Sequence, residues 1–236
     1  MSSYLLHEIR RYPVKAMGGE SLESVAVDAR GLAGDRAYAV VDADGKLATG
    51  KHSQRFRRRD EVFEFAARTT GDGVGVSGRG GTWPVPSGAL DAALSEAMGD
   101  PVRVLPETTT LYFDAGQVSL VGTASLDWCR EHLGVDADRR RIRPNLVVET
   151  DQPFVEETWA GVVEVGDVRL TPVERIERCR MIDIAQEGLP RDGRWLKTLT
   201  AAREMSLGVY LDVVQPGTLR VGDLLTASPA ESSRAD

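Results

Sequence analysis

The chain has 236 residues, of which 42% are hydrophobic and 28% charged, and its formal net charge is −7. This composition is typical of a globular protein with one large core or two modest ones. The acidic balance excludes a general nucleic-acid binder, and no apolar run approaches the roughly 20 residues of a membrane span. Charged residues interrupt the N-terminus, so we expect a cytoplasmic protein without nucleic-acid or membrane partners.

Short strands and tight turns dominate the first half of the sequence. Asp44-Gly45 is a strong hairpin signal. Residues 62–68 are predicted as a strand, and the glycine-rich residues 71–81 as a hairpin. A helix is predicted from Ser87, its N-cap, to Met98. These elements predict a β-barrel-like domain over residues 1–108.

The second half is predicted to form another domain, over residues 109–227, with more strands and short helices. A helix begins near Thr123 or Ser125, either of which is a possible N-cap. Residues 141–150 have the pattern of a strand, and Gly166-Asp167 marks a hairpin. The polar residues 228–236 are expected to be a disordered tail. The whole pattern predicts a β-rich α+β fold.

The two cysteines have different surroundings in the sequence. Cys129 lies at helical spacing with Leu126 and Leu133, which indicates a core position. Cys179 lies between Arg178 and Arg180, and nearby positive charge favours the reactive thiolate. A buried, unreactive thiol beside solvated arginines is the alternative interpretation of Cys179.

Seven motifs occur in the same order as in one known family. They are YPVKAMGGESL, GLAGDRAYAVVD, RIRPNLVV, ERCRMID, LKTLTAAR, LGVYLDVVQPG and LRVGDLL. Together they resemble MOSC proteins, named after the C-terminal domain of molybdenum cofactor sulfurase, with an N-terminal MOSC-associated β-barrel domain. The most similar branch is that of the amidoxime-reducing component. The resemblance implies a MOSC β-barrel domain that binds the molybdenum cofactor through one pterin.

The resemblance also implies roles for individual residues. Cys179 would be the metal ligand and catalytic residue, with Asp183 as a second catalytic residue. Lys15, Arg36 and Arg143 match the family's anchors for the cofactor phosphate, and Asn145 could bond the pterin edge. Thr123 and Ser125 are added as cofactor-binding candidates because they lie at a predicted helix start, where free amides attract anions. Arg178, beside the cysteine, completes the cofactor-binding set. The chain departs from the branch at Ala16, which replaces a frequent Ser, and in the MIDIA sequence after Cys179. These departures border the implied site and bear on the substrate.

Three functions remain open at this stage. The first is a molybdenum oxidoreductase that reduces N-hydroxylated compounds and receives electrons from an external reductase. The second is a sulfur carrier, in which Cys179 holds a persulfide supplied by a pyridoxal phosphate desulfurase. The third is a carrier that stores the cofactor without turnover. For the first function, the basic run from Lys51 to Arg59 is a candidate docking face for the reductase.

Overall fold

Residues 2–230 are described by the structure, a computed structural model. The strands of the first half are β1 (Ser2–Arg11), β2 (Glu20–Leu22), β3 (Ser24–Asp28), β4 (Gly31–Leu32), β5 (Tyr38–Asp42), β6 (Leu47–Thr49), β7 (Phe56–Arg58), β8 (Ala66–Thr70), β9 (Gly73–Gly78), β10 (Gly81–Val85) and β11 (Val102–Pro106). The strands of the second half are β12 (Val118–Gly122), β13 (Leu146–Glu149), β14 (Trp159–Val165), β15 (Val168–Glu177), β16 (Ser206–Gln215), β17 (Gly217–Arg220) and β18 (Leu224–Pro229). The helices are α1 (Gly88–Met98), α2 (Thr123–Leu133), α3 (Arg139–Ile142) and α4 (Trp195–Arg203), with 3₁₀ turns at Asp60–Glu64, Val155–Thr158 and Arg180–Asp183.

Seven strands form a closed barrel. Their order around the barrel is β13, β12, β16, β15, β14, β18 and β1, and β1 pairs again with β13. Closure leaves none of these seven strands as a free edge. The N-terminal strand therefore completes a barrel whose other strands all come from the second half of the chain.

The barrel interior is filled by alternate residues of its strands. Leu6 and Ile9 of β1 meet Leu120, Leu146 and other fully buried aliphatic side chains there. Successive side chains of a strand point to opposite faces, and in β1 a register shift between Leu6 and Glu8 brings both Leu6 and Ile9, three residues apart, to the inside.

A second unit packs beside the barrel. It consists of a four-stranded sheet, β11-β5-β6-β7, a three-stranded sheet, β10-β9-β8, and helix α1. Its apolar core also contains Met17, from the loop after β1, and Ile184, from the loop after β15. These two loops connect the second unit to the barrel.

The predicted β-rich fold with a barrel and few short helices is confirmed. Helix α1 begins after Ser87, whose Oγ accepts a hydrogen bond from the Leu90 amide, and ends at Gly99 in the left-handed conformation. The turn at Asp44-Gly45 joins β5 to β6, and the turn at Gly166-Asp167 joins β14 to β15. The glycine-rich residues form the hairpin of β9 and β10.

Two predicted strands are partly wrong. Val62 and Phe63 lie in a 3₁₀ turn, in which neighbouring residues can both be buried, and the strand begins only at Ala66. The start of the predicted strand at residues 141–150 is the short helix α3, whose first turn is capped by the Asp138 side chain. Strand β13 begins only at Leu146.

The ends of the predicted segments also need correction. Strand β18 continues to Pro229, so residues 228 and 229 are part of the sheet rather than of a disordered tail. Residues 231–236 lie outside the described part of the chain. The predicted boundary at residue 108 falls between β11 and β12, but β1 and β3 pair with strands from beyond it.

Candidate functional site

A cavity of about 330 Å³ lies where β12 and β13 begin, and the last residues of β15 and Tyr210 of β16 also line it. Seven lysines and arginines line it, against three acidic residues, so its net charge favours an anionic ligand. Its lining residues are Lys15, Ala16, Arg36, Lys51, Phe113, Asp114, Ala115, Gly116, Ser119, Arg141, Ile142, Arg143, Asn145, Glu174, Arg175, Ile176, Glu177, Arg178, Cys179, Met181, Ile182 and Tyr210.

Six of the nine residues proposed from the sequence meet in this cavity. They are Lys15, Arg36, Arg143, Asn145, Arg178 and Cys179. They come from loops after β1 and before β5, from the segment that joins α3 to β13, and from the end of β15. Thr123, Ser125 and Asp183 do not line it.

Cys179 is half-buried at the cavity wall, two residues after the end of β15. Its carbonyl oxygen accepts a hydrogen bond from the Ile182 amide at 3.2 Å, so the thiol lies at the start of a 3₁₀ turn. Cys129, in contrast, is fully buried in α2, and burial raises the pKa of its thiol to about 12. The prediction of a core position for Cys129 is confirmed.

The two arginines beside Cys179 extend to different partners. Arg178 is buried and donates hydrogen bonds to the carbonyl oxygens of Leu207 and Ile142, both at 2.8 Å. Burial lowers the pKa of Arg178 to about 10. Arg180 forms an ion pair with Asp60 at 2.6 Å. Arg178 therefore stabilises the part of the barrel next to the cysteine, while Arg180 attaches the cysteine loop to the second unit.

Arg36 and Arg143 converge on the ring of Tyr12. Their guanidinium carbons lie 5.0 Å and 4.3 Å from the ring centroid. Both arginines have positive φ angles, which non-glycine residues rarely adopt. Arg143 Nη2 donates to the Met17 carbonyl oxygen at 2.6 Å, while its buried Nη1 has no protein acceptor. A buried guanidinium nitrogen without a partner at a cavity wall is suited to an anionic ligand.

Lys15 is almost completely buried and donates to the Tyr112 carbonyl oxygen at 2.7 Å and to Asp114 at 3.0 Å. Lys51 contacts the same carboxylate at 3.1 Å. Burial lowers the pKa of Lys15 to about 8. The two lysine charges hold the pKa of Asp114 well below its ordinary value, against the opposite effect of burial.

Asn145 links the barrel strands at the cavity floor. Its Oδ1 accepts hydrogen bonds from the Ser119 amide at 3.1 Å and from the Ser119 hydroxyl at 2.9 Å. Its Nδ2 donates to the Arg10 carbonyl oxygen at 3.2 Å. These bonds fix the start of β13 beside β12 and β1. The Asn145 side chain lines the cavity, but most of its polar groups already form hydrogen bonds within the protein.

The start of α2 does not serve the cavity. Gly122, rather than Thr123 or Ser125, is the N-cap residue. The buried carboxylate of Glu156 accepts hydrogen bonds from the Gly122 amide at 3.0 Å and from the Ser125 hydroxyl at 2.7 Å. An internal carboxylate thus occupies the place where the sequence suggested an anionic cofactor.

Asp183 also has a structural contact in place of the predicted catalytic position. Its Oδ1 accepts a hydrogen bond from the Leu196 amide at 3.2 Å, in the first turn of α4. A carboxylate at this place satisfies a free amide and interacts favourably with the helix dipole.

The basic run after β6 is largely paired within the protein. Lys51 contacts Asp114, Arg57 forms an ion pair with Asp42 at 2.6 Å, and Arg59 pairs with Asp100. Arg58 also contacts Asp60, at 3.5 Å, but its side chain is 56% exposed. Most of this positive charge therefore stabilises local structure.

Two cavity residues were not among those proposed from the sequence. Arg141 is 1% exposed and donates to the Pro190 carbonyl oxygen at 2.6 Å. Tyr210, on β16, faces the cavity, and burial raises the pKa of its hydroxyl. Both lie within the family motifs, RIRPNLVV and LGVYLDVVQPG. The motifs therefore included these two residues but did not distinguish them from their neighbours in the sequence.

Within residues 2–230 no group of three or more His, Cys, Asp or Glu side chains is arranged to hold a metal ion. No helix of this same part of the chain is long and apolar enough to cross a membrane.

The fold and the cavity define a class of protein: a closed β-barrel with a cation-lined pocket and one accessible cysteine at its end. The MOSC domain model matches residues 107–226, just over half of the chain, and the MOSC N-terminal beta barrel domain model matches residues 3–64. The chain therefore belongs to the MOSC family, as the motifs suggested.

Relatives and solved structures agree with this assignment. A molybdenum cofactor sulfurase of Danio rerio is 23% identical over 89% of this chain and 32% of its own length. Mitochondrial amidoxime reducing component 2 of Rattus norvegicus is 29% identical over 48% of this chain and 37% of its own length. The chain thus spans about a third of each. The YUAD protein from Bacillus subtilis has the same fold, with a TM-score of 0.55, 12% identity, and coverage of 95% of this chain and 94% of that one.

Proposed function

We propose that this protein is a molybdenum-cofactor-binding oxidoreductase that reduces N-hydroxylated compounds, with Cys179 as the protein ligand of the metal. The observation that carries the proposal is the meeting of Cys179 with Lys15, Arg36 and Arg143 in one cavity. These residues are distant in sequence and belong to different motifs of the family. A soft thiolate beside several cations suits a metal cofactor that also bears a phosphate.

The cavity residues fit the cofactor by their donor chemistry. Arg143 offers a buried nitrogen without a protein acceptor, and Arg36 contacts the same Tyr12 ring as Arg143 does. We assign both to the phosphate, because guanidinium groups bind phosphate oxygens in pairs. Lys15 adds a positive charge close to the same wall. Cys179 would supply the protein's thiolate ligand to the metal.

The cofactor, when bound, supplies the two-electron chemistry that removes the oxygen from nitrogen. The balanced reaction converts an N-hydroxylated compound, two electrons and two protons into the reduced nitrogen compound and water. The chain's part is to bind the anionic end of the cofactor, to hold the Cys179 thiolate at the cavity wall, and to orient the substrate.

Metal analysis of freshly purified protein tests this proposal. We expect about one molybdenum per chain together with a pterin oxidation product, and reduction of an amidoxime by the loaded protein with a chemical reductant. Molybdenum without turnover would favour the carrier that only stores the cofactor. Protein that binds no molybdenum when it is expressed with an intact cofactor supply would contradict the proposal.

Sulfur transfer is the second candidate function. It is favoured by the sulfurase relative, which matches 89% of this chain, and by the partial exposure of Cys179. In this reaction a pyridoxal phosphate desulfurase would pass a sulfur atom to the thiolate, and an acceptor thiolate would remove it from the persulfide. Intact mass spectrometry of metal-free protein separates the two functions, because a persulfide adds the mass of one sulfur atom that a reductant removes.

A further inference from the structure

Glu187 lies in the loop between the Cys179 turn and α4, and its side chain is only 10% exposed. Its carboxylate accepts hydrogen bonds from Arg10 Nη2 at 2.8 Å and 3.2 Å, and another from the Gly19 amide. Its carbonyl oxygen accepts a hydrogen bond from Arg140 Nη1 at 2.9 Å. One residue therefore binds β1, the loop after β1, and helix α3.

These contacts join two loops that both contribute residues to the cavity wall. Gly19 ends the loop that carries Lys15 and Ala16, while Glu187 follows Cys179 and Met181 on its own loop. The Gly19 amide and the Glu187 carboxylate are 168 residues apart in sequence. Between Lys15 and Gly19, the Met17 carbonyl oxygen also accepts the hydrogen bond from Arg143. The first loop is thus fixed by Arg143 on one side and by Glu187 on the other.

The packing around Glu187 leaves little freedom for the loops to separate. A Cβ atom on Gly18 would lie 2.7 Å from Glu187 Cγ, so this approach requires glycine. Glu187 itself has a φ of 47°, a conformation that non-glycine residues rarely adopt and that surrounding contacts must hold. Arg10 is 6% exposed, so the loss of its carboxylate partner would leave a buried charge with weaker compensation.

We propose that Glu187 is a positioning residue, which holds the Cys179 loop against the Lys15 loop and so maintains the spacing between thiol and cations. This inference rests on the proposed function only in taking the cavity as the site. Glu187 does not line the cavity. It acts through the two loops.

Alkylation of the two cysteines provides the test, because Cys179 is half-buried whereas Cys129 is fully buried in the core. The experiment compares iodoacetamide labelling of metal-free wild-type protein, Glu187→Gln and the matched control Glu131→Gln, which changes an exposed residue of α2. Peptide mass spectrometry reports the rate for each cysteine. We expect Glu187→Gln to label Cys179 at least threefold faster than wild type, with Cys129 unchanged and Glu131→Gln equal to wild type.

Cys129 separates local loop release from general unfolding. Parallel acceleration at Cys129 and Cys179 would overturn the proposal, since it would assign Glu187 to stability of the whole fold. Equal rates in all three proteins would overturn it as well. If Glu187→Gln does not fold, Glu187→Asp is measured in its place, because it keeps the charge and shortens the side chain. None of these readings requires molybdenum, so failure of the proposed oxidoreductase would appear separately, in the metal analysis.

Discussion

At the scale of single residues, the two cysteines show how position changes the use of the same side chain. Cys179 is at a cavity wall beside several cations, whereas Cys129 is surrounded by α2, α4 and the barrel. The helical spacing of Cys129 correctly predicted its core position, whereas the role of Cys179 as a ligand stays a prediction.

We therefore expect opposite results from the two alanine variants. Cys179→Ala should lower amidoxime reduction at least a hundredfold and leave the free energy of unfolding nearly unchanged, since it removes a metal ligand near the surface. Cys129→Ala should lower the free energy of unfolding by about 1 kcal/mol through lost packing and leave turnover unchanged. Denaturant unfolding and steady-state rates measure both. Wild-type turnover in Cys179→Ala would remove the ligand assignment.

We expect Lys15 to make anion binding in the cavity dependent on pH. Burial lowers its pKa to about 8, so its positive charge is lost as the pH rises through this value. We expect the affinity for sulfate, whose own charge is constant, to fall between about pH 7 and about pH 9. Calorimetry on metal-free protein measures this affinity. In Lys15→Met the affinity should be lower at neutral pH and should lack this pH dependence, and a variant that retains the fall would contradict the assignment.

The lowered pKa of Lys15 changes the free energy of unfolding with pH in the direction opposite to its effect on anion binding. In the folded protein Lys15 loses its proton near pH 8, whereas in the unfolded chain it does so near its ordinary value of 10.5. Between these values the unfolded chain binds more protons, so the Lys15 contribution makes the free energy of unfolding rise with pH. Anion binding and stability therefore change in opposite directions over the alkaline range.

At the scale of elements, local signals in the sequence predicted turns and caps better than they predicted contacts between residues that are distant in sequence. Asp44-Gly45 and Ser87 marked their elements correctly, because a turn or a cap depends on a few adjacent residues. The helix α3 was missed, since Ile142, Leu146 and Val147 also suit a strand and only Asp138 indicates a helical start. The start of α2 was misjudged because Glu156, 31 residues from Ser125, occupies it.

Ser125 offers a test of this reassignment. Its hydroxyl donates to Glu156 and accepts a hydrogen bond from the Phe154 amide at 2.7 Å, and it is fully buried. We expect Ser125→Ala to lower the free energy of unfolding by about 2 kcal/mol, because it leaves buried polar groups without partners. The molybdenum content per chain should stay at the wild-type value. Loss of molybdenum with unchanged stability would instead restore Ser125 to the cofactor site.

At the scale of the whole molecule, the cavity could not be located from the sequence. Its wall combines loops from both ends of the chain, and only barrel closure brings Lys15 and Cys179 together. Family motifs supplied the candidates, but periodicity carries no information on such distant contacts. The pairing of β1 with β13 and β18 determines these distant contacts.

The proposed reaction also requires a partner that donates electrons. It consumes two electrons per turnover, and two cysteines cannot form a four-thiolate cluster that would store them. We expect turnover of molybdenum-loaded protein with a reduced viologen and none with NADH or NADPH alone. Since most of the run from Lys51 to Arg59 is internally paired, Arg58 is the residue of this run best placed to face a reductase. Steady turnover with NADH alone would reveal a second redox centre in the chain.

The position of β1 has a consequence for dissecting the protein into parts. A fragment covering residues 107–230, which extends the MOSC domain match at residues 107–226 past the end of β18, would contain six of the seven barrel strands and lack the one between β13 and β18. Two unpaired edges would then face each other across an open seam, and exposed edges promote aggregation. We expect this fragment to aggregate when expressed alone and to become soluble when a peptide of residues 2–11 is supplied in excess, as light scattering can measure. A monomeric, folded fragment without the peptide would show that the barrel can close without its first strand.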